Sequence, residues 1–184
     1  MMNRYITRKL IVDEHNEIFD AQGMKYIEFE SCLLSIRKIC TLILKECPEA
    51  FLEENLLEQQ LSELIKNGIK HGNKCDPKKK VKVWYDLRKR ARFIVEDEGE
   101  GFVCLDAWNE FYHKRQEALC DQNFDLFLSL ASYLGPDSDE TDGGNSLIAA
   151  LEFWNGGMIY NEARNKVGVV RWFHGGSGRT QGEK

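Results

Sequence analysis

The stretch FIVEDEGEGF, Phe93–Phe102, changes character half-way along. An apolar run suited to a buried strand meets two acids, a glycine, a third acid and a second glycine. Solvent-facing hairpins rarely need that much acid or that much backbone freedom. The stretch reads either as an acidic turn or as a strand end where backbone must approach something closely.

Upstream, Val81–Leu87 alternates, with Val81, Val83 and Tyr85 on one side and Lys82, Trp84 and Asp86 on the other. Arg88-Lys89-Arg90 then turns the chain into a second strand, Ala91–Glu96. Further back, Leu33, Leu34, Ile36, Ile39, Cys40, Ile43 and Leu44 recur at helical spacing, which predicts a helix over Glu28–Cys47 closed by Pro48. Leu57, Leu61, Leu64 and Ile65 predict a second helix over Phe51–His71, with Gly72 as its stop. A strand is expected at Tyr5–Val12, followed by the turn DEHNE.

Downstream, short helices are expected at Ala107–Leu119 and Phe124–Leu134, then the acidic loop DSDETD. Trp108, Phe111, Tyr112, Phe124, Phe127 and Tyr133 make this segment rich in aromatics, which suggests a small core of its own. A further helix opens at Gly143-Gly144 and runs to Trp154. A hairpin, Met158–Glu162 against Val167–Phe173, closes the chain, and 175–184 reads as a disordered tail. The order predicts one α+β domain over 1–174: a two-layer sandwich with helices on one face of a mostly antiparallel mixed sheet.

The 184 residues carry a net charge of −5 and a pI near 5.5. That balance argues against direct nucleic-acid binding, which calls for a basic face. No apolar run approaches the roughly 20 residues that cross a bilayer, and the N-terminus reads without a signal peptide. Six cysteines lack C-x-x-C spacing, so reduced thiols in a cytoplasmic protein are expected rather than a metal cluster.

Three stretches offer chemistry. In ELIKNGIKHGN, Glu63–Asn73, Glu63 and Asn67 stand four apart and share a helix face; the alternative is a solvated face. In FIVEDEGEGF, Asp97 at a strand end can accept from a ligand amine; the alternative is a Gly-rich turn. In TDGGNSLIAALEF, two glycines open a helix whose first amides suit phosphate; the alternative is a helix capped by Asp142.

The order of these motifs resembles the histidine kinase-like (GHKL) ATPase family, which takes in histidine kinase catalytic domains, gyrase-type ATPases and the anti-sigma serine kinases. Glu63, Asn67, His71 and Gly72 match its N-box. Asp97, Gly99, Gly101 and Phe102 match the first glycine box; Gly143 and Gly144 match the second, whose place continues through Asn145, Ser146 and Leu147. The pattern is most similar to the stand-alone anti-sigma factor serine kinases. The resemblance implies ATP and Mg²⁺ as cofactors, with Asp97 reading the adenine amine and Gly99 and Gly101 clearing space for the ring. It implies Asn67 as the Mg²⁺ ligand, the second glycine box as the phosphate cradle, and Glu63 as the catalytic base that takes a proton from a partner's serine. That partner would be a sigma factor or an anti-sigma antagonist, and the related kinases commonly form homodimers. Two differences stand out. Ser146 replaces the last glycine of the second box, and the lid, about 105–142, is long. Both also fit a second reading, a protein-interaction module on the same fold that binds ATP weakly or does no catalysis.

Overall fold

A computed structural model of the chain describes residues 9–52, 56–133 and 145–173. Among them, six strands form one mixed sheet: β1 (Ile11–Val12), β2 (Lys25–Glu30), β3 (Lys80–Asp86), β4 (Ala91–Asp97), β5 (Gly157–Tyr160) and β6 (Lys166–Arg171). The spatial order is β1-β5-β6-β4-β3-β2, with every pairing antiparallel except β1 with β5. The helices are α1 (Ile36–Leu44), α2 (Glu49–Leu52), α3 (Leu56–Asn67), α4 (Leu105–Cys120), α5 (Phe124–Ser129) and α6 (Ser146–Phe153). The chain is thus an α+β protein built on a mostly antiparallel mixed sheet.

Side-chain alternation explains the layering. Val81 and Val83 of β3, Phe93 and Val95 of β4, and Val167 and Val169 of β6 are buried in one cluster with Ile43 of α1 and Leu61 and Ile65 of α3. Burying each such side chain fully contributes about 1.5–3 kcal/mol, so this shared face is where the fold gains most. The opposite face runs Glu28, Lys82, Glu96 and Lys166 across four neighbouring strands in register. Glu96 pairs there with Lys82 at 3.2 Å and Lys166 at 2.7 Å. Burial raises the Glu96 pKa, but the lysine contacts outweigh it and hold the carboxyl below its ordinary range. One end of this face is roofed by the 3₁₀ turn Glu17–Phe19, whose Ile18 packs on Ile159 and Val170.

Several expected boundaries move. The helix expected from Glu28 starts only at Ile36, after a 3₁₀ turn at Leu33–Ser35, because Lys25–Glu30 is an edge strand paired along its whole length with β3. Of the helix expected over Phe51–His71, the described residues carry α2 as far as Leu52 and α3 over Leu56–Asn67, and Gly68–Gly72 forms a π turn. Helix α4 is a full 16 residues. Its Trp108 and Tyr112 stack at 5.1 Å and belong to the main core, not to a separate one. Helix α5 stops at Ser129. Residues 5–8 of the first expected strand, the DSDETD loop, the Gly143-Gly144 helix opening and the tail lie outside the described residues. All six cysteines are free thiols, with Cys40 and Cys47 buried. No helix among the described residues is long and apolar enough to cross a membrane.

Candidate functional site

The period of two that buries Phe93 and Val95 sends Asp97, at the end of β4, to the same side of the sheet. A carboxyl therefore lies among helices, where the next residue on that face would otherwise be apolar. Burial raises the Asp97 pKa to about 6, while the Gly99 amide, donating at 2.8 Å, and Lys79 pull it back down. Beside it, burial also raises the pKa of the Tyr160 hydroxyl, and the Asp97 charge adds to that shift.

Opposite Asp97, the helical layer gives way to glycine. The π turn follows α3 directly and closes with Asn73 N–H donating to the Gly68 carbonyl at 2.8 Å. A Cβ at Gly72 would overlap the Asp97 carboxyl, and one at Gly68 would come within 3.5 Å of the Asp97 side chain. π turns often mark functional sites in helices. This one brings its two glycines onto an acid. Lys74 and Cys75 follow with φ of 56° and 57°, left-handed values that cost about 1–2 kcal/mol per residue without glycine.

Gly99 and Gly101 have a structural reason besides the one the resemblance implies. A Cβ at Gly99 would overlap the Gly72 carbonyl, and Gly99 does not line the cavity described below. A Cβ at Gly101, where φ is +85°, would overlap the Ala163 carbonyl in the β5–β6 turn. Both residues let backbone seat on backbone and so fix where Asp97 sits. The turn contributes further: Asp97 N–H donates to the Asn165 carbonyl at 2.9 Å, and Asn165 Nδ2 donates to the Asp97 carbonyl at 3.1 Å.

These elements enclose a cavity of about 710 Å³, within the usual range of about 300–1,000 Å³ for small-ligand sites. Glu63, Asn67, His71, Asp97, Gly101 and Phe102 line it, together with Asn145, Ser146 and Leu147 at the start of α6. Motifs more than 80 residues apart in sequence thus open onto one space. Gly143 and Gly144 lie outside the described residues. Glu63 pairs with Lys66 at 3.5 Å, so the expected base already faces a cation.

The wall also contains residues without a motif to announce them: Lys66, Lys74, Lys79, Tyr160, Arg164 and Asn165. Arg164, in the β5–β6 turn with φ +59°, accepts at its carbonyl from Phe102 N–H and pairs with Asp106 of α4 at 2.9 Å. Only the fold brings Lys79 beside Asp97. Gln60 Oε1 and Trp108 Nε1 are buried at the wall without a hydrogen-bond partner. No protein-family model and no curated protein sequence matches this chain.

Proposed function

We propose that the chain is an ATP-binding regulatory protein of the histidine kinase-like type, closest in kind to the anti-sigma factor serine kinases. The observation that carries this reading is the convergence of Asp97, Asn67 and the start of α6 on one cavity. A carboxyl buried beside glycines suits the exocyclic amine and flat ring of adenine. With its pKa near 6 it is ionised at neutral pH and available as an acceptor. Asn67 offers a carbonyl oxygen of the kind that suits a hard cation. Among the described residues no three His, Cys, Asp or Glu side chains converge to hold a metal unaided, so Mg²⁺ would take most of its ligands from phosphate and water. Asn145, Ser146 and Leu147 at the start of α6 line the cavity, while Lys66, Lys74, Lys79 and Arg164 give the wall a cationic side. ATP, when bound, supplies the phosphoryl group; Glu63, one helical turn before Asn67, is placed to accept the proton of an attacking serine hydroxyl.

Calorimetric titration with Mg²⁺-ATP tests the reading. Binding by the wild type should fall by about 10- to 100-fold in Asp97→Asn, the scale of losing a hydrogen bond to a charged group. A wild type that takes up no heat at millimolar Mg²⁺-ATP would sink it.

One observation favours a second reading, a module that binds ATP and works through protein contacts without transferring phosphate. Glu63 stands in an ion pair with Lys66 at 3.5 Å, so its carboxylate already has a partner where a serine hydroxyl would have to come. Binding without transfer of labelled γ-phosphate to any serine-bearing partner would select that alternative.

A further inference from the structure

Asn73 directly follows the π turn, is fully buried, and does not line the cavity. Its carboxamide nevertheless touches three separate elements. Nδ2 donates to the Ser31 hydroxyl at 2.6 Å, just past the end of β2, and to the Lys80 carbonyl at 2.8 Å, at the start of β3. Oδ1 accepts from the Glu98 amide at 2.7 Å, one residue beyond Asp97. The Glu98 carboxylate in turn accepts from the Lys80 amide at 2.9 Å. Asn73 also carries both ends of the strained segment: its N–H closes the π turn on Gly68, and its carbonyl accepts from Asp76 at 3.1 Å after the two left-handed residues.

The Asp97 loop is therefore gripped from two sides. Asn165 of the β5–β6 turn holds the Asp97 peptide itself, and Asn73 holds the next amide from the helical side. We propose that Asn73 is a positioning residue: through the Glu98 amide it sets the Asp97 carboxylate against Gly72, and so governs the affinity of the cavity for an adenine-type ring without touching it. This rests on the nucleotide reading above for its ligand, but not for its geometry. Because Asn165 keeps its grip, loss of the Asn73 carboxamide should let the loop swing while the sheet stays paired. Ser31 lies at the far side of the same carboxamide, so its hydroxyl supports Asn73 without reaching Asp97.

The test compares Asn73→Ala and Ser31→Ala with the wild type. Without nucleotide, carbon-detected NMR follows the Asp97 carboxyl through its titration, and hydrogen exchange follows the Glu98 amide. The ionisable groups that act on Asp97 are Lys79, Tyr160 beside it and, from the opposite face of the sheet, Glu96, and both variants leave all three unchanged. In Asn73→Ala the titration should move down towards the ordinary carboxylate range as water reaches the loop. The Glu98 amide should exchange at least about tenfold faster, and Mg²⁺-ATP affinity should drop by about tenfold or more. Ser31→Ala should stay within about threefold on each measure. A residue that merely supported the fold would lower the unfolding midpoint in both variants and leave the Asp97 titration in place; that result overturns the proposal. If Asn73→Ala does not fold, exchange in the wild type decides. A Glu98 amide protected like the β4 amides supports the clamp, and one exchanging at the rate of an open loop overturns it. A wild type that fails to bind ATP removes the nucleotide reading, while the titration and exchange still decide the role of Asn73.

Discussion

On the Asp97 side of the cavity, backbone seats on backbone, Gly99 against the Gly72 carbonyl and Gly101 against the Ala163 carbonyl, and Gly72 lies against the Asp97 carboxyl itself. On the α6 side, a helix simply begins. Asn145 makes no side-chain cap, Ala149 N–H donates to its carbonyl at 3.0 Å, and Ser146 and Leu147 are only partly buried. The first side has no slack, because neither carbonyl can retreat without breaking a hydrogen-bonded strand end or turn. The second can shift within its own first turn. A pocket made this way reads one end of a ligand strictly and accommodates the other.

The largest effect should come from adding one methyl group on the strict side. Gly101→Ala meets both a φ of +85° and a fixed carbonyl, so overpacking and backbone strain together should cost about 3 kcal/mol or more. Gly157→Ala is the control. Its φ of +127° is also unfavourable for a side chain, but nothing lies within 4 Å of the added carbon, and the cost should be strain alone, about 1–2 kcal/mol. Urea unfolding of the two variants measures the difference. Equal losses would mean that the seat on Ala163 is soft, and the contrast between the two sides of the cavity would fail.

The next effect turns on pH. An unfolded Asp titrates near about 3.9, whereas Asp97 in the fold titrates at about 6. Between those values the native state holds a proton that the unfolded chain has lost. Stability therefore declines as pH rises from about 4 to about 6, and the loss is complete above that. The full shift corresponds to about 3 kcal/mol, and partial solvent access reduces it to about 1–2 kcal/mol. Asp97→Asn should accordingly match the wild type near pH 4 and exceed it in stability by about that amount at pH 7.5, while losing nucleotide. Urea midpoints at the two pH values check the sign. A variant destabilised at pH 7.5 would mean that the carboxylate stabilises the fold and is not a cost accepted for a ligand.

Much of this frame was legible in the sequence because it follows local periodicity. The alternation of Val81–Leu87 and the apolar run of Ala91–Glu96 placed two central strands to within a residue at each end, and Met158–Glu162 against Val167–Phe173 placed the closing hairpin to within one or two. Lys25–Glu30 was missed although it alternates, since the leucine-rich run after it carried a stronger helical period and only pairing with β3 decides the matter. The convergence of Glu63, Asn67, Asp97 and Ser146 could be inferred only through a family pattern, since no local rule brings distant segments together. The π turn and the two asparagines were invisible for the same reason. Asn73 and Glu98 are 25 residues apart, Asn165 and Asp97 are 68 apart, and an Asn in a loop looks the same whether it caps a turn or holds a site. Gly99 carries a requirement that no local rule announces: a side chain there would overlap the backbone of Gly72, 27 residues earlier.

The smallest effect should come from the accommodating side. Ser146 opens α6, its side chain is partly buried, and it lines the cavity. Ser146→Ala should leave stability within about 0.5 kcal/mol, as for most substitutions away from packed or polar-buried positions. Its Mg²⁺-ATP affinity should change by less than about tenfold, since a single neutral hydrogen bond to phosphate contributes about 0.5–1.5 kcal/mol net. Ser146→Gly separates the two roles the hydroxymethyl group can play there. Weaker binding in both variants identifies the hydroxyl as a phosphate donor, because both lack it. Tighter binding in Ser146→Gly alone identifies a side chain that narrows the space before α6. A loss in Ser146→Ala as large as that in Asp97→Asn would erase the contrast, because the helix start would then be as strictly built as the strand end that faces it across the cavity.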